Sequence, residues 1–258
     1  MDDPRGPLRP REWDAPVYDR VAGPHLRWGA TVLDRLTVAE GATVVDAGCG
    51  TGRVTELLLG RLPPVRVIAV DGSRRMLDRA RDRLAGSGER VTFLHRDLAL
   101  PLHGVGPVDA VVSTATFHWI PDHDRLFRNL AGVLRPGGQL VGQWGGAGNI
   151  DKVVAALPAA GGTWPGPWTF ATPRATLDRL AAAGFEDASA WLEDDPVTFD
   201  DPAAYREYLG TLVLGAHLDR LAAADRPAYL DRVCAGLPEL VVDYVRLNVV
   251  ARRGRPGG

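Results

Sequence analysis

One nine-residue stretch, Val44-Val45-Asp46-Ala47-Gly48-Cys49-Gly50-Thr51-Gly52, restricts the folds open to this chain more than any other. An apolar run stops at a carboxylate and passes at once into three glycines on alternate positions. Leu57-Leu58-Leu59 then reads as a helix, and Val65-Arg66-Val67-Ile68-Ala69-Val70 runs into Asp71. A buried strand, a glycine turn, a helix and a second strand ending in an acid make the first half of a nucleotide-type site. Glycines let the backbone bend tightly there and let a ligand approach without a Cβ in the way.

The same alternation continues. Strands are expected at residues 43–46, 65–70, 91–94, 108–113 and 139–144, with helices at 52–59, 73–84 and 124–134 between them. Ser73 reads as an N-cap, Gly86-Ser87-Gly88 as a stop, and Arg135-Pro136-Gly137-Gly138 as a turn. Strands alternating with helices argue an α/β fold with a parallel sheet covered on both faces. Ahead of it, Gly23-Pro24 splits residues 13–36 into two helices, and residues 1–12, rich in Pro and Arg, are expected to be poorly ordered. Beyond it, residues 145–170 read as a long loop with one short helix. Helices are expected at 176–183, 202–221 and 227–237, strands at 189–192 and 241–251.

Bulk properties narrow the function. The 258 residues suit one large α/β domain with an insertion, or two modest domains. A net charge of −2 gives no long-range pull on nucleic acid or acidic membranes. The polar start Met1-Asp2-Asp3-Pro4-Arg5-Gly6 has no apolar leader character, so a cytoplasmic protein is the expectation. Cys49 and Cys234 are too far apart in sequence for a CxxC-type metal site and do not suggest a disulfide framework.

The candidate ligand site follows from the loop. A dinucleotide fingerprint is G-x-G-x-x-G; here the third glycine comes one residue early and Arg53 stands where a small residue is wanted. The spacing suits a ligand without phosphates, although a lone G-x-G-x-G is equally compatible with a plain turn. Asp71, about 20 residues on, stands where a carboxylate accepts from ribose hydroxyls; the competing reading is a cap on the next helix. Met76 is a candidate for an adenine face or for plain core, and Asp97 for an adenine amino group or for a solvated loop, with Leu98 as apolar cover.

Taken together, residues 44–52, Asp71 and Arg96-Asp97-Leu98 resemble the class I S-adenosylmethionine-dependent methyltransferases, over about residues 40–145. The resemblance implies a Rossmann-like sheet of seven strands, mostly parallel with an antiparallel last strand, plus inserted helices covering the active site. It implies S-adenosylmethionine as cofactor, with Asp46, Gly48, Cys49, Gly50 and Gly52 near its methionine part. Asp71 and Gly72 would hold the ribose, and Met76, Asp97, Leu98 and Ser113 would complete the cofactor set. Ser113 through Asp122, with its His118-Trp119 pair, is similar to the trans-aconitate methyltransferase group and to malonyl-carrier-protein methyltransferases. That likeness implies a lid from N-terminal helices (residues 1–36) and a helical insertion at about 196–240.

His118 is the candidate catalytic residue, either as a general base for a hydroxyl acceptor or as packing beside Trp119. Trp13, Tyr18, Trp119 and Trp144 are candidate substrate residues, and Trp164, Trp168 and Trp191 are further aromatic candidates. His217, Arg206 and Arg220 are readable either as site residues or as ordinary helix side chains, and no arginine cluster suited to a tricarboxylate is evident. No metal set is expected: His118 and His123 have no third partner at suitable spacing. The function expected is O-methylation of a carboxylate or hydroxyl of a small molecule by a monomer or homodimer, with no nucleic-acid or membrane partner. A non-catalytic cofactor-binding regulator and an NAD-dependent oxidoreductase stay open as alternatives. The missing Tyr-x-x-x-Lys pair counts against the latter.

Overall fold

The run ahead of the glycine loop lies inside a sheet because both of its faces are apolar. In the computed structural model, which describes residues 10–21 and 23–255, helices α1 (Ala15–Val21) and α2 (Gly23–Leu33) precede strand β1 (Thr43–Ala47). Then come α3 (Arg53–Arg61), β2 (Arg66–Asp71), α4 (Arg74–Arg83), β3 (Val91–His95), β4 (Val108–Thr114), α5 (His123–Val133) and β5 (Leu134–Gly145). The second half holds α6 (Asp151–Ala156), α7 (Pro173–Ala182), β6 (Phe185–Asp194), β7 (Val197–Thr198) and α8 (Pro202–Tyr208). It ends with α9 (Gly215–Leu218), α10 (Arg226–Ala235), β8 (Val241–Val242) and β9 (Val245–Arg253).

Seven strands form one sheet in the order β3-β2-β1-β4-β5-β9-β6. The pairs from β3 through to β5 are parallel, and β9 is antiparallel to both of its neighbours. The mostly parallel sheet with one reversed strand is the architecture the resemblance implied. The reversed strand is last in sequence but lies between β5 and β6. Alternate residues supply the two faces. Val45, Ala47, Val111 and Leu140 pack with Leu126, Phe127 and Leu130 of α5. Val44, Val67, Ala69 and Ala110 pack with Leu58 of α3 and Leu77 of α4. A third cluster joins Trp28 and Tyr244 to α6, α8 and α10 through Val153, Tyr205, Tyr208, Leu230 and Val233. Those helices stand over the end of the sheet where the glycine loop emerges.

Several segments differ from expectation. The helix expected over 202–221 is three pieces: α8, a π-turn at Leu209–Val213, and α9. Glycines at 210 and 215 weaken a regular helix by about 1 kcal/mol each, and Leu214 N–H reaches back to Leu209 O at 2.7 Å. The strand expected over 241–251 breaks after Val242, which pairs with Val197. The Asp243 carboxylate turns away to accept the Lys152 N–H at 2.9 Å at the start of α6. Strand pairing also extends beyond the expected 189–192 to Phe185–Asp194. Residues 135–138 are a bulge within β5, with Gly137 at φ +78°. The expectation for residues 1–9 lies outside the described residues. At 10–12 it fails, because the carboxylate of Glu12 accepts from Ser73 Oγ at 2.8 Å and from the Arg74 and Arg75 N–H groups of α4.

Candidate active site

The glycine loop closes by local hydrogen bonds. Gly48 and Cys49 N–H donate to Val70 O, and Gly50 N–H donates to Asp71 Oδ2 at 2.8 Å. Asp71 Oδ1 accepts the Ser73 N–H at 2.8 Å, while Ser73 Oγ caps α4 by accepting from Met76 N–H. One carboxylate therefore joins the loop after β1 to the turn after β2. Gly48 and Gly50 have φ of +83° and +54°. Their environments differ: a Cβ on Gly48 would strike Thr116, whereas one on Gly50 would meet nothing within 4 Å.

A cleft of 490 Å³ opens from this loop toward the covering helices. At one end stand Asp46, Gly48, Cys49, Gly50, Asp71, Gly72, Met76, Asp97 and Leu98, as the sequence proposed. Trp13, Tyr18, His118 and Trp119 line the other end together with Trp164 and Trp168. Trp13 meets Trp119 edge-on at 5.2 Å and Tyr18 at 5.8 Å between ring centroids. Asp97 Oδ1 holds the Ala99 N–H at 2.8 Å, which shapes its own turn.

Three proposed residues lie outside the lining. Ser113 is buried and donates to Ala47 O at 2.7 Å, tying β4 to β1. Gly52, at φ +81°, lets α3 pass close to Ala80 of α4 and to Leu84, which follows that helix. Trp144 packs in the sheet core against Phe117, with ring centroids 4.8 Å apart, because its position in β5 faces α5. Among the further candidates, Trp191 is half-exposed under the Arg35 guanidinium. Arg206 pairs with Asp231 at 2.6 Å away from the cleft, and His217 is buried behind Trp164, Nε2 against its carbonyl at 3.1 Å. Arg220 does line the cleft, its guanidinium 4.5 Å from the centre of the Trp164 ring. Among the described residues no group of three His, Cys, Asp or Glu side chains could hold a metal.

The structure also brings in residues the sequence reading passed over: Arg11, His25, Trp28, Phe170, Tyr244 and Arg246. Arg246 had one signal, a basic residue inside the β-branched run 241–251, which also holds Asp243 and Asn248. Arg53 sits just past the loop and ties it to α1: it and Arg79 and Arg83 converge on Asp19, which also accepts from Thr51 Oγ1 at 2.6 Å. Against the penalty of burial, the Thr51 and Arg79 hydrogen bonds hold the Asp19 carboxyl below its usual range.

The site's ionisation follows from its dryness. His118 Nδ1 accepts the Gly145 N–H at 3.3 Å. A neutral ring with Nδ1 so occupied carries its proton on Nε2. Burial, then the nearby Arg246 and His25, push the His118 pKa well below the ordinary imidazole value. Burial and Arg246 lower His25 to about 3. Tyr18 is raised by burial and by Asp71, and burial raises Tyr244 to about 12. Every imidazole and phenol at this end of the cleft is neutral at pH 7.

Asp46 is the opposite case. It is 1% exposed, and among the described residues its carboxylate's one side-chain partner is Thr55 Oγ1, which donates at 2.6 Å. Burial, with Asp71 adding to it, raises its pKa from 3.8 to about 6. A carboxyl raised on folding favours the native state when protonated, so stability falls as pH rises from about 4 through about 6. At about 1.4 kcal/mol per pH unit the loss is on the order of 3 kcal/mol above pH 7. Asp46→Asn, which keeps an acceptor for Thr55, is expected to raise the thermal midpoint of the ligand-free protein by about 6–12 °C at pH 8 and by much less at pH 5. Equal shifts in calorimetric scans at the two pH values would contradict this account.

The comparisons agree with this geometry. A family model described as "Methyltransferase domain" matches residues 44–138. Trans-aconitate 2-methyltransferase of Azoarcus sp. (strain BH72) is 34% identical, covering 87% of this chain and 89% of that protein. The protein of the same name from Acidovorax sp. (strain JS42) is 37% identical, over 94% and 98%. Phosphoethanolamine N-methyltransferase 2 of Haemonchus contortus, solved with phosphomonomethylethanolamine and S-adenosylhomocysteine, superposes with a TM-score of 0.64 at 18% identity, covering 94% of this chain and 57% of that one. These relatives favour neither the oxidoreductase nor the non-catalytic regulator. The chain belongs to the family of S-adenosylmethionine-dependent methyltransferases that holds these trans-aconitate 2-methyltransferases, and it is an enzyme that methylates a small molecule.

Proposed function

We propose that this enzyme methylates a carboxylate oxygen, and that trans-aconitate, which the relatives' name specifies, is the first acceptor to test. The observation that carries this reading is that, among the described residues, no free base stands at the acceptor end of the cleft: the Asp219 carboxylate there is paired with Arg11 at 2.9 Å. A hydroxyl or phenol acceptor needs a group to take its proton, whereas a carboxylate is already ionised at neutral pH. His118 has its Nδ1 occupied and its Nε2 protonated, so it offers the acceptor a hydrogen-bond donor.

The other end of the cleft fits the cofactor. Asp71 keeps lone pairs beyond those given to Gly50 and Ser73 and can accept from ribose hydroxyls. The open side of Gly50 admits the chain of the methionine part. Asp46 offers a buried negative charge to its cationic groups, while Asp97 and Leu98 flank the adenine. When bound, the sulfonium supplies both the methyl group and its own leaving group. The protein's part is to hold the acceptor oxygen in line and to exclude water. Trp13, Tyr18 and Trp119 serve that exclusion, with α1, α2 and the helices of about 196–240 forming the cover over the methyltransferase domain. A monomer or homodimer in the cytoplasm suits a protein with two unpaired cysteines. Among the described residues no helix is long and apolar enough to cross a membrane.

The test is methyl transfer from S-adenosylmethionine to trans-aconitate and to a panel of carboxylic acids and phenols, read by mass spectrometry. The product is expected to gain one methyl mass and to lose it in mild alkali, as an ester does. An alkali-stable methyl ether from a phenol or alcohol would overturn the reading. His118→Ala is expected to lower kcat/KM by about 10-fold, the loss of one donor, rather than the roughly 10²–10⁴-fold typical of a general base. Its pH profile at saturating cofactor should stay flat between about pH 6.5 and 8.5, and S-adenosylhomocysteine affinity should not change.

A further inference from the structure

Arg246 is 1% exposed, yet its Nε and Nη2 have no hydrogen-bond partner among the described residues. A buried guanidinium without a counter-charge costs several kcal/mol, so its retention needs a reason. The nearest carboxylate influence is Asp195, but that side chain is committed elsewhere: Oδ1 to Arg27 at 2.6 Å and Oδ2 to the Trp28 indole N–H at 2.6 Å. Aromatic faces support the charge instead. The Arg246 Cζ lies 4.0 Å from the Trp28 ring centre and 5.7 Å from that of Tyr244. Stacking fixes the plane of the guanidinium without using its N–H groups.

Register decides where this charge sits. Arg246 pairs with Gly145 across β5 and β9, and the Gly145 N–H is the donor to His118 Nδ1. Arg246 also lines the cleft, on the acceptor side. Its field reaches both His118 and His25, lowering each.

We infer that Arg246 is a specificity-determining residue that binds a second carboxylate of the acceptor, one that is not methylated, so that the enzyme selects di- and tricarboxylates over monocarboxylates. The assignment rests on the carboxylate reading above and sharpens it. A planar fork recognises a carboxylate with two parallel N–H···O bonds. A ligand carboxylate entering the cleft supplies the counter-charge that the folded protein lacks. The carboxylate to be methylated stays free of this pairing, which would quench its nucleophilicity.

The experiment titrates the S-adenosylhomocysteine-loaded protein with trans-aconitate and with its trimethyl ester, following tryptophan fluorescence. Wild-type protein is expected to bind the acid at least 30-fold more tightly than the ester. Arg246→Gln should lose at least 10-fold in affinity for the acid, with ester affinity within threefold of wild type and S-adenosylhomocysteine affinity unchanged. Arg246→Lys, which keeps the charge but not the fork, should fall between the two, and it carries the test alone if the glutamine variant does not fold. Equal losses for acid and ester, an unchanged acid affinity, or wild-type failure to bind trans-aconitate, succinate and tricarballylate alike would each overturn the assignment. Arg246-dependent binding of trans-aconitate without methyl transfer to it sinks the acceptor reading and leaves this assignment standing. Transfer to trans-aconitate with KM unchanged in Arg246→Gln does the reverse.

Discussion

Gly50→Val is expected to lower S-adenosylhomocysteine affinity by roughly 1000-fold, about 4 kcal/mol, while the protein keeps its fold. Gly50 has φ +54°, a left-handed conformation that a β-branched residue adopts at a cost of about 1–3 kcal/mol. That strain lowers the thermal midpoint by several degrees but leaves the core untouched, because an added Cβ meets no protein atom within 4 Å. In the proposed reading the same open space is the cofactor's path past the loop, and the valine methyl groups would fill it. Gly48→Val separates the two effects. There the clash is with Thr116 on the strand β4 side, so folding fails before binding is tested. Isothermal calorimetry with circular dichroism as the fold check decides the matter, and wild-type affinity in folded Gly50→Val would falsify the loop assignment.

Asp71→Ala is expected to cost about 3–4 kcal/mol of cofactor binding, on the order of 100- to 1000-fold. A single lost charge-assisted hydrogen bond accounts for about 1.5–3 kcal/mol. The larger figure follows because the same carboxylate holds the Gly50 and Ser73 N–H groups at 2.8 Å each. Removing it frees the loop after β1 and the turn after β2 together, so the site loses its shape as well as a contact. Asp71→Asn keeps one acceptor and turns an amide N–H toward a backbone N–H, so it should fall between alanine and wild type. If alanine and asparagine both bind S-adenosylhomocysteine like wild type, Asp71 is a structural cap and no more.

The parts of the site that were legible lie close together along the chain. The loop from Gly48 to Gly52, Asp71 at a strand end and the Ser73 cap are separated by short, regular distances, and each carries its own signature in backbone geometry or turn chemistry. Trp144 shows where such reading stops. It stands in a strand beside the site, but strand parity alone did not say which face is the core, and the packing of Phe117, from the short turn Phe117–Trp119, and of Phe127 from α5 settled it. His118 shows a second limit. Its place after β4 was readable, but its protonation depends on the N–H of Gly145, 27 residues away. The broken helix around Leu214 and the break after Val242 show a third: glycines at 210 and 215 and the Asp243 carboxylate redirect the chain toward contacts with distant partners.

The α/β alternation, the glycine loop and the acidic strand ends were determined locally, because β-strand period, helix caps and left-handed turns depend on residues a few positions apart. The charges at the acceptor end were decided only by tertiary structure. Arg11 reaches Asp219 across 208 residues, and Arg246 stacks on Trp28 from the opposite end of the chain. Neither pairing has any local signal, since the energy of a buried charge is set by what surrounds it in space rather than by its neighbours in sequence.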